Sequence, residues 1–496
     1  MTDGPDLNFD AVVLGGGTAG MTAAKEIARA GKSVALVEAA RTGGDCLYTG
    51  CVPSKSLIAA ARLLHAIRRA DGFGVTTSAP ALDLAQAMER KGRIIARIGV
   101  VDEPEALERA GVTVLHAAAR FDGPTVVLAG ERPIRAARFV IATGSRPSIP
   151  PIPGLAEAGF LTNEGLLTLT SVPPRLAVIG AGPTGLELGQ TFQRFGSVVT
   201  VIERDEHVLP REDVEIAALV RQGMEREGIV FHLGHEVVRV ERADGAKQLT
   251  LRTGGGAERI VDVDEILVAT GRAPNVEALR LDAAGVAAGA RGVQVDERMR
   301  TTAPHVWACG DVVGPPFLTH VAEDQARTVA ANVLGGRAKW SGRAIPWAIF
   351  TEPEAAGVGL TEAAARARWG DKLEVLRLPY DRLDRAVIDG VGDGLIKVLL
   401  APGWTRGLLG GEVAGAHVAG AHAGEIIEQF ALQMAWRLPA GMLAKTVQAY
   451  PTYSLGGRQA IALHWLRTER AASRTRAARL REWLGDVNPF GEASSM

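Results

Sequence analysis

The chain has 496 residues, 47% of them hydrophobic and 22% charged, with a formal net charge of -1 at pH 7. That length suggests about three domains, and the balanced charge gives no reason to expect nucleic acid or an acidic membrane as the main partner. Three cysteines in so long a chain exclude a disulfide scaffold and point to a reducing, cytoplasmic setting.

The opening MTDGPDLNFD lacks the basic-then-apolar order of a secretory signal, and no uninterrupted apolar run long enough to span a bilayer follows it. The stretch DAVVLGGGTAGMTAAKEIARAGKSVALVEA reads as a buried strand, a glycine turn, an amphipathic helix and a second strand ending in an acid. Gly15, Gly17 and Gly20 form G-x-G-x-x-G, and Glu38 stands 18 residues beyond Gly20. Glycines let the backbone turn and approach a pyrophosphate, the helix start offers free N–H groups, and the carboxylate accepts from ribose hydroxyls. In this setting the pattern predicts a dinucleotide site rather than an ordinary tight turn.

Next comes GGDCLYTGCVPSKS, which places Cys46 and Cys51 in a glycine-bounded turn running into an apolar helical pattern. In a reducing compartment such a pair points to catalysis rather than to a structural staple. A zinc clip is the rival reading. It needs a second ligand pair, and neither another cysteine pair nor His-x3-5-His accompanies these two, so no metal site is expected.

The nucleotide unit then recurs. RLAVIGAGPTGLELGQTFQRFGSVVTVIER carries Gly180, Gly182 and Gly185, with Glu203 again 18 residues past the third glycine. Glu203 favours the free 2'-hydroxyl of NADH, while the adjacent Arg204 offers a partner for a 2'-phosphate; the expectation is NAD(P)H with NADH favoured. FVIATGSRP, with Thr143 and Gly144, and ILVATGRAPN, with Gly271, each close a strand with Ala-Thr-Gly. Two nucleotide sites and a dithiol suggest electrons passing from one nucleotide to another and then to sulfur.

From about Phe9 to Leu463 the chain resembles the flavin-dependent pyridine-nucleotide disulfide oxidoreductases, the group that contains lipoamide dehydrogenase, glutathione reductase and mercuric reductase. The resemblance rests on both glycine motifs, GGDCLYTGCVPSK, VWACGDV at 306–312, HVAEDQAR at 320–327 and AIFTEPEAAGVGLTE at 348–362. It implies an α/β fold with two Rossmann-like dinucleotide-binding domains and a C-terminal α+β dimerisation domain. The implied FAD domain spans 1–150 and 280–345, the NAD(P) domain 151–279 and the interface domain 346–465. A proline-rich link, GSRPSIPPIPG, marks the first of these boundaries.

Residue roles follow from the same resemblance. It makes Cys51 the charge-transfer thiol against the flavin and Cys46 the interchange thiol that meets substrate. It pairs Lys55, at the flavin, with Glu187, sets Asp311 on the ribityl chain, and puts His320 in the helix that follows it, directed at the flavin. A helix beginning at CVPSKS would lower a thiol pKa below its free value of ~8.5, and Pro53 suits its first turn. Cys309 reads as a buried small apolar residue.

The departures bear on the acceptor. Where lipoamide and glutathione reductases carry His-Pro-x-x-x-Glu, this chain reads QAYPTYSLGG, with Tyr450 before Pro451 and Leu455 at the glutamate position. A phenol is a poor base near neutrality but a serviceable hydrogen-bond donor or general acid. Tyr450 is therefore either a catalytic donor or, with Tyr453, interface packing. Mercuric reductases also replace this His, but the C-terminal cysteine pair they carry is missing from the closing GEASSM. An aromatic gate at the nicotinamide side is replaced by Pro183. The tail at 466–496, with arginines at 467, 470, 474, 476, 479 and 481, reads as a solvated helix or as a basic amphipathic helix touching lipid or a partner.

The expectation is a homodimeric FAD enzyme that passes electrons from NAD(P)H through FAD and the Cys46–Cys51 disulfide to a small-molecule or protein-borne disulfide. The alternatives are reduction of mercuric or another soft metal ion, flavin-level reduction of quinone or oxygen, and a flavin-holding redox sensor without turnover.

Overall fold

The computed structural model describes residues 7–243, 245–403 and 410–466. The basic tail anticipated at 466–496 lies outside the described residues apart from its first position. Two compact units are present, one made of residues 1–211 and 221–342 and the other of 212–220 and 343–496.

The first unit contains both nucleotide sheets. In one, strand Leu7–Leu14 lies between Val34–Glu38 and Arg132–Ile141, all parallel. Val112–His116 extends one side, and the short Val306–Ala308 pairs in parallel with Arg132–Ile141. The strand at 306–308 thus joins a sheet begun some 300 residues earlier. The central strand is apolar at successive positions because both of its faces are covered. Ala11 and Val13 pack on one side with Val140 and Leu36, while Val12 and Leu14 pack on the other with Phe139 and Val306.

The second sheet runs Val230–Leu233, Val198–Glu203, Arg175–Ile179, Glu265–Val268, all parallel. Between its third and fourth strands in sequence lies an antiparallel meander of His235–Ala243, Ala246–Thr253 and Glu258–Val263 that the sequence reading did not foresee. Ser145–Pro147 and Arg272–Pro274, which follow the two Ala-Thr-Gly signals, pair with each other antiparallel.

The second unit is built on the sheet Trp347–Ile349, Ala355–Gly359, Val413–Ala419, Leu395–Leu400, Glu374–Pro379, with helix Ala423–Ala435 packed against it through Ile426, Ile427 and Phe430. Residues 212–220 fall within the span assigned from sequence to the NAD(P) domain, yet the structure packs them here. The reason is ionic. Lys397, 2% exposed, donates to both carboxylate oxygens of Asp213 at 2.8 and 2.9 Å and lies 2.5 Å from Glu215 and 2.6 Å from Glu362. Arg377 closes the cluster, at 2.8 Å from Glu215 and 2.6 Å from Glu362. Burial alone would raise the Asp213, Glu215 and Glu362 pKa values, but the cations outweigh it and hold all three below the usual carboxylate range.

Removing the central cation leaves Asp213 buried without its partner, with Arg377 on Glu215 and Glu362 and Arg366 on Glu362 as the remaining cations of the cluster. Lys397→Met should destabilise the protein by roughly 3 to 5 kcal/mol at neutral pH. Because the folded-state carboxylate values are depressed, the advantage of wild type over the variant should be present above the ordinary carboxylate range. It should vanish as pH falls through the depressed values. Thermal melting of both proteins from neutral to acid pH checks this, and equal melting temperatures at neutral pH would refute it.

Candidate active site

Each glycine motif forms a turn from strand into helix, with the first and third glycines in positions that no side chain can share. Gly15 has φ +104°, and a Cβ there would lie 2.4 Å from the Ala142 carbonyl oxygen; one on Gly20 would lie 1.8 Å from that of Gly15. In the second glycine motif a Cβ on Gly180 (φ +105°) would lie 2.5 Å from Ala269 O, and one on Gly185 would lie 2.1 Å from Gly180 O. Gly17 and Gly182 differ: a Cβ on either would meet nothing within 4 Å. They cap helices Thr18–Arg29 and Pro183–Phe195, with neither a side-chain cap nor a first-turn acid. Free helix N–H groups beside open space at a glycine are what a diphosphate requires. Both cradles therefore fit a dinucleotide.

The strand-end acids brace these turns. Glu38 accepts from Gly16 N at 2.5 Å and Ala40 N at 2.7 Å. Glu203 accepts from Ala181 N at 2.7 Å and Asp205 N at 3.1 Å. Each oxygen retains a second lone pair, so a ribose hydroxyl can still donate to either carboxylate.

Asp311 lies in a turn fixed by Gln325, whose side chain accepts from Gly310 N at 2.8 Å. Burial raises the Asp311 pKa, opposed by Ser145, which donates to it at 2.6 Å, and by Arg272 at 3.8 Å. Arg272 also donates to Ser145 Oγ at 2.7 Å and pairs with Asp45 at 2.7 Å. One network thus links Asp311 to the residue preceding Cys46. Thr143 donates to the Asn275 carbonyl at 2.7 Å, and Gly144 (φ +68°) and Gly271 (φ +130°) turn the chain between the paired segments.

Cys46 sits not in a plain turn, as the sequence suggests, but in a short helix, Gly44–Tyr48. Gly43 and Gly44 both have positive φ, and the backbone reaches within 2.8 Å of where a Gly44 Cβ would stand, at Gly17 Cα. Thr49 donates to the Asp45 carboxylate, and Asn163 donates to the Thr49 carbonyl at 2.7 Å, so the loop between the cysteines is held at both ends. Cys51 begins helix Cys51–Arg68, with Pro53 in its first turn.

The two thiols are free. The neighbouring Cys46 thiol, with Thr319 and Lys55, brings Cys51 down to about 6 against the opposing effects of burial and Glu187. Cys46 is pushed far up by Cys51 and by burial. Lys55 Nζ lies 2.6 Å from Oε2 of Glu187, a carboxylate only 6% exposed. Thr319, at the start of helix Thr319–Val333, contacts both sulfurs: its hydroxyl donates to Cys46 Sγ at 3.3 Å and lies 3.5 Å from Cys51 Sγ. His320 is exposed in the same first turn. Cys309 is fully buried and pushed up to about 12 by that burial, which leaves it an inert thiol.

Sequence reasoning missed Thr319, Arg272, Asp45, Ser145 and Gln325. Each stands in or beside a recognised segment, Asp45 before Cys46, Ser145 and Arg272 after the two Ala-Thr-Gly signals, Gln325 within HVAEDQAR and Thr319 just before it, but their distant partners are not legible there.

Tyr450 and Tyr453 lie in the second unit. Tyr450 is 69% exposed, and its hydroxyl donates to Asp384 at 2.8 Å, a bond that holds its pKa above the usual phenol value. Tyr453 is buried, donates to Asp389 at 2.8 Å and has the His422 ring at 4.6 Å. Leu455 is buried as well.

Two dinucleotide cradles and a dithiol with one depressed thiol in a single unit define a nucleotide-linked dithiol oxidoreductase. Residues 9–326 match the pyridine nucleotide-disulphide oxidoreductase family and residues 345–460 match its dimerisation domain, and the chain belongs to that family. It is 38% identical over 463 residues to a dihydrolipoyl dehydrogenase of Thermus scotoductus, covering 92% of this chain and 97% of the relative. A mercuric reductase of Bacillus cereus is 34% identical, with 93% of this chain and 72% of that protein covered. Among solved structures, the Cu(II) complex of the HOCl-induced flavoprotein disulfide reductase RclA from Escherichia coli superposes with a TM-score of 0.80 at 28% identity. The match covers 91% of this chain and 99% of that one. The protein is thus an NAD(P)H-dependent flavoprotein disulfide oxidoreductase using FAD, and its dimerisation domain marks it as a homodimer. No described helix is long and apolar enough to cross a membrane.

With its pKa lowered to about 6, Cys51 should carry its charge at neutral pH and lose it as pH falls through that value. Ultraviolet thiolate absorbance of the reduced protein should titrate there, and Cys51→Ser should abolish the transition. A reduced wild type with no thiolate below the ordinary thiol range would refute the assignment.

Proposed function

We propose that the acceptor is a disulfide, reduced through Cys46, with Cys51, Lys55 and Glu187 completing the redox centre. The observation that carries this reading is the asymmetry of the thiol pair: one sulfur is poised as thiolate beside Lys55, the other is kept protonated at the loop. Bound FAD supplies the two-electron link between nicotinamide and the Cys46–Cys51 disulfide. In the dithiol state the Cys46 sulfur attacks one acceptor sulfur, breaking the acceptor disulfide and releasing the first thiol. Cys51 then attacks Cys46, re-forming the protein disulfide and releasing the second. The net change converts NAD(P)H, a proton and a disulfide into NAD(P)+ and two thiols.

On this reading the cofactor contacts fall to Gly15, Gly17, Gly20, Glu38, Lys55, Thr143, Gly144, Asp311 and His320 for FAD. Gly180, Gly182, Gly185, Glu187, Glu203 and Gly271 serve NAD(P)H, with NADH favoured. The FAD domain takes 1–150 and 280–345 and the NAD(P) domain 151–279. Tyr450 serves, across the dimer, as a hydrogen-bond donor to the departing thiol rather than as a base, its hydroxyl turning from Asp384 to do so. Three cysteines and no disulfide scaffold favour the cytoplasm as its compartment. Kinship with mercuric reductases gives a second reading, in which the dithiol presents electrons to a soft metal ion.

An acceptor panel of disulfides, soft metal ions and quinones, run with wild type and Cys46→Ser, tests the proposal. Disulfide reduction that disappears in the variant is expected; disulfide reduction that survives in Cys46→Ser would overturn it. NADH should show the higher kcat/KM. Glu203→Ala should narrow its advantage by about tenfold through the lost ribose contact, and a wild-type preference for NADPH would reverse this assignment. Tyr450→Phe should slow reoxidation by the disulfide without changing flavin reduction by NADH, as stopped-flow measurement of each half-reaction would report.

A further inference from the structure

The hydroxyl of Thr319 stands almost equally far from the two sulfurs, 3.3 Å from Cys46 Sγ and 3.5 Å from Cys51 Sγ. A hydroxyl has one proton to donate and two lone pairs with which to accept. It can therefore donate to only one sulfur at a time, and its rotation about the C–O bond costs little. Both sulfurs lie within reach of this one hydroxyl, and when one carries a proton and the other a charge the proton can change sulfurs. When it rests on Cys46, Cys51 is the anion; when it shifts to Cys51, Cys46 becomes the anion, the form that attacks a disulfide.

We propose that Thr319 is a catalytic residue whose hydroxyl follows the negative charge between Cys46 and Cys51, donating to whichever sulfur lacks the proton. It rests on the reading of these cysteines as the redox pair. The step balances within the pair: an S–H bond breaks on Cys46 as one forms on Cys51, the electron pair left on Cys46 becomes the nucleophile, and the Thr319 proton turns from one sulfur to the other without leaving its oxygen. No external base is needed to expose the Cys46 thiolate, which matters in a chain that has Tyr450 and Leu455 where a His–Glu pair stands in lipoamide reductases.

The surroundings leave this task to Thr319. Among the influences on Cys51 are two fixed charges, Lys55, which lowers its pKa, and Glu187, which raises it. At Cys46 the groups are Cys51, Thr319 and burial, and among these Thr319 alone favours the anion through its side chain. Helix Thr319–Val333 holds the hydroxyl in place, since Gln325, two turns on, is tied to Gly310 N.

The test uses the full chain with its thiols reduced by a phosphine and iodoacetamide as the probe, with labelling at each cysteine followed by peptide mapping across pH. Thr319→Val keeps the shape and removes the hydroxyl; Thr319→Ser restores a donor. In Thr319→Val, labelling at neutral pH should fall about tenfold at both Cys46 and Cys51, the loss of one charge-assisted hydrogen bond, with both pH profiles displaced upward. Thr319→Ser should recover most of the rate. Wild-type labelling in Thr319→Val would overturn the proposal, and so would slowing confined to one sulfur. If Thr319→Val fails to fold, a Thr319→Ser profile matching wild type at both sulfurs supports the role, and one slowed at either refutes it. Because alkylation needs neither nucleotide nor acceptor, the outcome is separate from that of the Cys46→Ser acceptor panel.

Discussion

The contact on which the redox centre depends is the ion pair between Lys55 and Glu187. It joins the helix that begins at Cys51 to the helix that begins at the second glycine turn, so the thiol and the second nucleotide cradle are referred to one rigid pair of elements. The pairing continues along the helices. Arg68 donates to the Arg194 carbonyl at 2.8 Å, and Arg194 is itself locked to Glu227 by two bonds of 2.7 Å. Glu187 is 6% exposed, and Lys55 gives the buried carboxylate a cation at 2.6 Å. That cation lies close enough to Cys51 to favour its thiolate.

Around this pair, two identical sulfur side chains acquire opposite roles. Nothing in the chemistry of cysteine distinguishes them. Their separation arises from a lysine near Cys51 and from the burial of Cys46 in a short helix held through Asp45, Thr49 and Asn163. The network from Asp45 through Arg272 and Ser145 to Asp311 gives that loop a fixed position relative to the strand-end turn proposed to hold FAD. Such coupling suits an enzyme in which small displacements of a reacting sulfur are costly.

The second unit solves a different problem with the same means. A lysine with side-chain exposure of 2% is tolerated because three carboxylates meet it, and in meeting it they draw residues 212–220 out of the neighbouring sequence context. The tyrosines of QAYPTYSLGG divide accordingly: Tyr453 packs in the apolar core with its hydroxyl on Asp389, while Tyr450 stays in solvent on Asp384.

The sequence by itself determined the two nucleotide units, the redox cysteines and the family, because each is written in a local pattern. Gly20 and Gly185 are required by close backbone approach within one strand–turn–helix, Gly15 and Gly180 by their positive φ at the same turns, and Cys46 and Cys51 stand five positions apart in one glycine-bounded stretch. The pairing of Lys55 with Glu187 was legible only through family resemblance, and the structure gives it a distance. Thr319, Arg272 and Ser145 stand in or beside recognised segments, but their roles were not written there, since each acts on residues more than a hundred positions away and a threonine opening a helix looks like any other. Only the tertiary structure decided that a hydroxyl at 319 would bridge sulfurs at 46 and 51 and that Asp213 would leave its own domain for Lys397. These contacts come from chain segments brought together by the packing of whole sheets and helices, and that packing depends on the pattern of burial rather than on any single residue's neighbours in sequence.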